Sequence, residues 1–214
     1  MTLIPGIIPQ QNFERIRDRI GVILFQELEN QWLRTGDSDL RKPLSQGETD
    51  ADADGMAVWN ERIVPFDQSE MPCINVGYNG APFESNNPLW SEGVNTFFID
   101  VYCGSAATEE TEADTLAAYK LQKIIGKIRF ILRHSYYRTL GFAPGFIGGT
   151  RIASIEIADA KVTQDANGCV MGRLIFEVKA TEDVTPLEPV DASNFMTTVT
   201  LFESEKGYVW IGDY

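Results

Sequence analysis

Between Asn12 and Leu33, the apolar residues Phe13, Ile16, Ile20, Leu24 and Leu28 recur at steps of three and four. That spacing lines one side of a helix, so an amphipathic helix is predicted here, with Asn12 as its cap and Gly36 just past its end. The periodicity stops at Thr35. Residues 35–57 are polar and acidic and read as an exposed loop. Strand-like runs follow at Val58–Val64 and at Cys73–Tyr78, where Ile74, Val76 and Tyr78 share a face. Residues 79–92 are rich in Gly, Pro, Asn and Ser and read as a second long loop. The β-type run Val94–Cys103 then predicts a central strand.

A second amphipathic helix is predicted from Thr111 to about His134, with Ala117, Leu121, Ile124, Ile128 and Ile131 as its stripe. Acids crowd its start and Lys127, Arg129 and Arg133 its end, which suits the helix dipole. Residues 150–162 and 169–180 alternate apolar and polar positions around a turn holding Asn167 and Gly168, the pattern of an antiparallel hairpin. Leu174, Phe176 and Val178 fall on its core face. After Pro186 and Pro189, runs 197–202 and 208–211 predict a further hairpin. The order of elements predicts an α+β class: a mainly antiparallel sheet with two amphipathic helices packed on one face, plus a β-rich C-terminal extension. Residues 1–182 form the main domain in this reading, and 183–214 a C-terminal arm.

Composition narrows the function. The chain has 214 residues and is 43% hydrophobic, enough for a real core. A net charge of −13 argues against specific nucleic-acid binding, which needs clustered cations. No secretory leader and no apolar run of membrane-spanning length is read in it, so no membrane association is expected. Cys73, Cys103 and Cys169 lie in apolar runs and are expected to be buried free thiols, made in a reducing cytoplasm.

The sharpest local motif is Asp50, Asp52 and Asp54, then Gly55 and, six residues on, Glu61, the spacing of an EF-hand calcium loop. Three carboxylates and a bidentate Glu would give calcium the hard oxygens it prefers. Pro43 and Gly47 spoil an entering helix, Pro65 stops an exiting one, and Val58 occupies a ligand position. The bland reading is a solvated acidic loop. The lone histidine, His134, reads as a cation at a helix end. Phosphate-loop, dinucleotide-binding and nucleophile-elbow motifs are missing, and no enzyme is expected.

On the second helix, Lys120, Lys123 and Lys127 fall on one flank and Arg129 and Arg133 on the other. Tyr119, Gly126 and Phe130 lie opposite the apolar stripe and fit either packing on the first helix or a neighbouring subunit. Together with Phe202, Tyr208 and Trp210 of the arm, Tyr119, Phe130 and the three lysines form a candidate oligomer interface, with the acidic 35–57 loop as the complementary half.

The order of an N-terminal helix, a Pro-led strand (Pro72–Tyr78, PCINVGY), a strand ending in small residues (Phe97–Ala106, FFIDVYCGSA) and an acid-started helix resembles the bacteriophage tail-terminator family, also called minor tail protein U-like. So does Ala153–Glu182, with its acid-bearing strand, turn and apolar strand. The resemblance spans about residues 11–182. It implies a virion subunit, made in the host cytoplasm, that forms a homo-oligomeric ring, commonly a hexamer. Such a ring caps the tail tube, meets the tail-tube protein and the head–tail connector protein, and lets DNA pass through it. The family implies no catalytic residue. The two long loops and the 183–214 extension depart from its compact members and keep open a neck, head–tail connector or tube-associated role. An alternative of another class is a calcium-binding module or an enzyme supported by the acidic loop.

Overall fold

A computed structural model describes residues 10–37, 43–44, 56–63, 66, 68–82, 90–105, 113–159, 169–183, 196–199 and 208–211. It divides into two units, of which the larger is Gln10–Val184. In that unit, α1 (Asn12–Thr35) precedes β1 (Pro43–Leu44), β2 (Met56–Asn60), β3 (Cys73–Gly80) and β4 (Trp90–Gly104). Next come α2 (Ala113–Arg133), β5 (Ile147–Asp159) and β6 (Cys169–Asp183). The sheet runs β1-β2-β3-β4-β6-β5. Its β3-β4-β6-β5 part is antiparallel, while β1 and β2 run parallel to β3. The fold is α+β with a mixed, mostly antiparallel sheet. In the second unit β7 (Met196–Val199) pairs antiparallel with β8 (Tyr208–Ile211), Thr197 opposite Trp210.

Both helices cover one face of the large sheet, α1 over β1 to β3 and α2 over β4, β5 and β6. The alternation of the strands decides what lies beneath them. Phe97, Ile99, Val101 and Cys103 of β4 are buried, as are Leu174, Phe176 and Val178 of β6, in one cluster with Ile16, Ile20, Leu24 and Leu28 of α1 and Leu121, Ile124 and Ile128 of α2. Gly172 lets α2 sit close to β6, since a Cβ there would lie 2.3 Å from Ile125 Cδ1.

On the opposite face, the intervening residues build a polar and aromatic surface. Asp100 is buried and receives two hydrogen bonds from the Arg173 guanidinium, each 2.7 Å. That guanidinium lies 4.8 Å from the Phe98 ring centre. Arg62 lies over the rings of Trp59 and Phe66, 4.7 and 4.3 Å from their centres, and binds Glu70 at 2.7 Å.

Several boundaries differ from the sequence expectation. Gln11, not Asn12, is the cap of α1, and its N–H donates to Glu14 Oε2 at 2.9 Å. Asn12 is the first helical residue, and its amide donates to the Thr181 carbonyl, tethering α1 to β6. Gly36 ends the helix as expected, in the left-handed region with its N–H on the Trp32 carbonyl at 2.8 Å. The strand predicted as 58–64 is β2, which stops at Asn60. Glu61 takes a φ of 54° and turns the chain out of the sheet, and the Asn75 side chain then bonds the Arg62 N–H and carbonyl in place of a ladder. Strand β4 starts inside the predicted 79–92 loop, because Trp90–Gly93 pair with Asp183–Ala180. The hairpin is present as β5 and β6, with Ile152 opposite Phe176, while its Asn167-Gly168 turn lies outside the described residues.

Candidate functional site

Helix α2 is buried along Ala117, Leu121, Ile124, Ile125, Ile128, Ile131 and Leu132. Steps of seven and four residues bring Tyr119, Gly126 and Phe130 to the other side. Tyr119 is 66% and Phe130 71% exposed, so neither packs on α1. Nothing lies within 4 Å of where a Gly126 Cβ would stand, leaving bare backbone between the two rings. The helix ends in a 3-10 turn, Ser135–Tyr137, that presents Tyr136 at 81% exposure. His134 joins these rings, its centre 5.9 Å from Phe130 and 4.7 Å from Tyr136. Its Nδ1 accepts the Tyr136 N–H at 3.3 Å, so the side chain caps the turn that follows α2.

A groove of about 690 Å³ runs between α1 and α2 along this ridge, lined among others by Gln31, Gly126, Lys127, Phe130 and Tyr137. At its end, Asp37 binds Lys123 at 2.7 Å and Lys127 at 3.3 Å. Two of the three lysines expected to meet an acidic loop on a neighbour are thus paired within their own chain, by the first acid of that same 35–57 segment. They brace α1 against α2. Lys120 is half-buried near Cys103, whose thiol is pushed up to about 12 by burial, against the pull of the lysine charge. Inside the groove, Tyr137 donates its hydroxyl hydrogen to Glu27. That hydrogen bond first, then burial and the Glu27 charge, push the Tyr137 phenol from its ordinary 10.0 up to about 12.

Of the calcium set, Asp50, Asp52 and Asp54 lie outside the described residues. Glu61 is described, at the end of a strand. Its Oε1 accepts the Tyr78 N–H at 2.6 Å and faces Arg17 at 3.7 Å. Bidentate coordination of calcium by Glu61 would share Oε1 with that backbone bond and bring the ion beside the Arg17 cation. Of the arm residues, Tyr208 and Trp210 stand on β8, and Phe202 lies outside the described residues. Cys73 and Cys103 are buried free thiols, and Cys169 is half-buried. Burial pushes the Cys73 thiol far up.

No protein-family model and no curated protein matches this chain.

Sequence reasoning picked Tyr119, Gly126 and Phe130 from helical spacing. It missed Tyr136 and the linking role of His134, because the helix period ends at Arg133 and gives no direction for the turn beyond it. The visible signal was the run Ser135-Tyr136-Tyr137, aromatics just past a helix end. Chemically, the ridge offers flat aromatic area and approachable backbone, the features of a surface that packs against protein.

Proposed function

We propose that the chain is a structural subunit of a bacteriophage particle, a tail terminator that closes into a homo-oligomeric ring, caps the tail tube and joins the tail to the head. The observation that carries this reading is the exposed ridge of Tyr119, Phe130 and Tyr136 around bare Gly126. A ring needs two different complementary patches on each subunit, one meeting the other head to tail. The ridge supplies one. The β-rich arm, with Phe202, Tyr208 and Trp210, supplies apolar surface for the other. Lys120 remains for steering, while Lys123 and Lys127 serve the subunit itself. The partners are further copies of the chain, the tail-tube protein and the head–tail connector protein.

The test is electron microscopy of phage particles made with and without this subunit. Tails of abnormal length, or tails left unjoined to heads, are expected when it is missing. Normal tails joined to heads would end the terminator reading and favour a connector or accessory role.

A further inference from the structure

The end of the sheet opposite β1 carries a second surface, on the other flank of α2. Among the described residues, β5 has β6 on one side and no strand on the other. An edge strand presents a row of backbone donors and acceptors that only water or another strand can satisfy. Natural edges are commonly guarded by bulges, charges or proline. Here two irregularities, at Ile147/Gly149 and Ile152/Ser154, disrupt the first half of the 13-residue strand. From Ser154 to Asp159 the register is unbroken. In that stretch Ile155 and Ile157 are 38% and 55% exposed, an apolar pair on an open edge.

Beside it runs a groove of about 840 Å³ between β5 and the end of α2. Arg129, Arg133, Arg138 and Arg151 line it, and no carboxylate does. Arg151 is held by Glu177. Arg129, Arg133 and Arg138 have no ion-pair partner among the described residues. In a chain of net charge −13, such a strip is a local reversal of sign.

We infer that the β5 edge accepts an extended segment of a partner polypeptide as an added strand, its apolar residues over Ile155 and Ile157 and its carboxylates on Arg129, Arg133 and Arg138. The backbone row gives the affinity and the alternate side chains the selection, as in other strand additions. A second β5 is the wrong occupant, because pairing two such edges would bring two arginine strips together. A phosphate polymer would satisfy the arginines but leave the isoleucines and the backbone row uncovered. This inference uses the β5 edge alone and does not depend on the ring.

The experiment is a fluorescence-anisotropy titration of the full chain with a blocked, labelled peptide whose alternate positions carry glutamate in one half and valine in the other, with threonine between them, so that both the carboxylates and the valines lie on the α2 side of the sheet. Saturable binding is expected. Arg129→Glu with Arg133→Glu, and separately Ile157→Lys, should each weaken it by about tenfold or more. These side chains are exposed, so the variants should melt like the parent. The same peptide with alternate backbone nitrogens methylated should bind far more weakly. Three outcomes would overturn the inference. One is no saturable binding. Another is equal binding of the methylated peptide with full competition by inorganic polyphosphate, which would mark a simple anion site. The third is a dimer that Ile157→Lys dissociates while the peptide fails to bind, which would assign the edge to a second copy.

Discussion

Tyr137 and Glu27 show how a single hydrogen bond makes stability depend on pH. The folded chain holds the Tyr137 proton to about 12, whereas the unfolded chain releases it near 10.0. The bond's contribution is therefore complete below pH 10 and lost as the pH rises through 12. Tyr137→Phe should flatten that alkaline decline in urea-unfolding midpoints. Glu27→Gln should bring the phenolate absorbance transition back toward its ordinary position. A second residue-scale case is Asp100, whose side chain is buried while that of Arg173 is 40% exposed. Arg173→Ala should cost about 2 kcal/mol, below the ~3–5 of a fully buried pair because water reaches the vacated side. Glu61 sets the expectation for calcium. Since Glu61 binds the Tyr78 N–H and faces the Arg17 cation, millimolar calcium should leave the melting temperature unchanged. A rise reversed by chelator would restore the acidic loop as a site.

At the scale of elements, α2 is the organising piece. One side seats on β4 and β6, one flank forms the α1 groove with Lys123 and Lys127, and the other forms the β5 groove with Arg129 and Arg133. The seat depends on the alternation of β6. Phe176→Ala should cost about 3–5 kcal/mol in denaturant unfolding, because that side chain is fully buried in the common core. A cost below about 1 kcal/mol would mean that the ring contributes little to the core. Gly172 sets how closely the helix approaches. Gly172→Ala should destabilise by about 1 kcal/mol through overpacking, and Ile125→Val, which removes the clashing Cδ1, should recover most of it in a double-mutant cycle.

At the scale of the whole chain, Gln10–Val184 is a unit with its own core, distinct from the one containing β7 and β8. A chain ending at Thr185 should keep the unfolding transition of the full chain and lose assembly. Sedimentation with and without tail tubes as template would check the second half of that expectation. Loss of the folded transition would instead make the C-terminal segment part of the core. An isolated hairpin with strands of four residues is at best marginal in water, which is why a neighbour is assigned to it.

The two helices, the β5–β6 hairpin and the α+β class were legible in the sequence because they rest on period. A helix or strand repeats its burial every few residues, so Ile16, Ile20 and Leu24 or Leu174, Phe176 and Val178 announce their shared side locally. Tyr119, Gly126 and Phe130 were legible for the same reason. Other features lie between distant residues and carry no period. Asp37 meets Lys123 and Lys127 across 86 and 90 residues, and Asp100 meets Arg173 across 73. Asn12 was readable as a cap, yet only the approach of β6 gave its amide the Thr181 carbonyl instead. The acid spacing ending at Glu61 was plain in one dimension, but the turn at Glu61 sent that carboxylate to the Tyr78 backbone. That β1 and β2 run parallel to β3, and that β5 is the outermost strand among the described residues, was decided by the order in which strands pack. Only tertiary structure sets that order, because each strand's pattern specifies a buried face and says nothing about which neighbour lies at its edge.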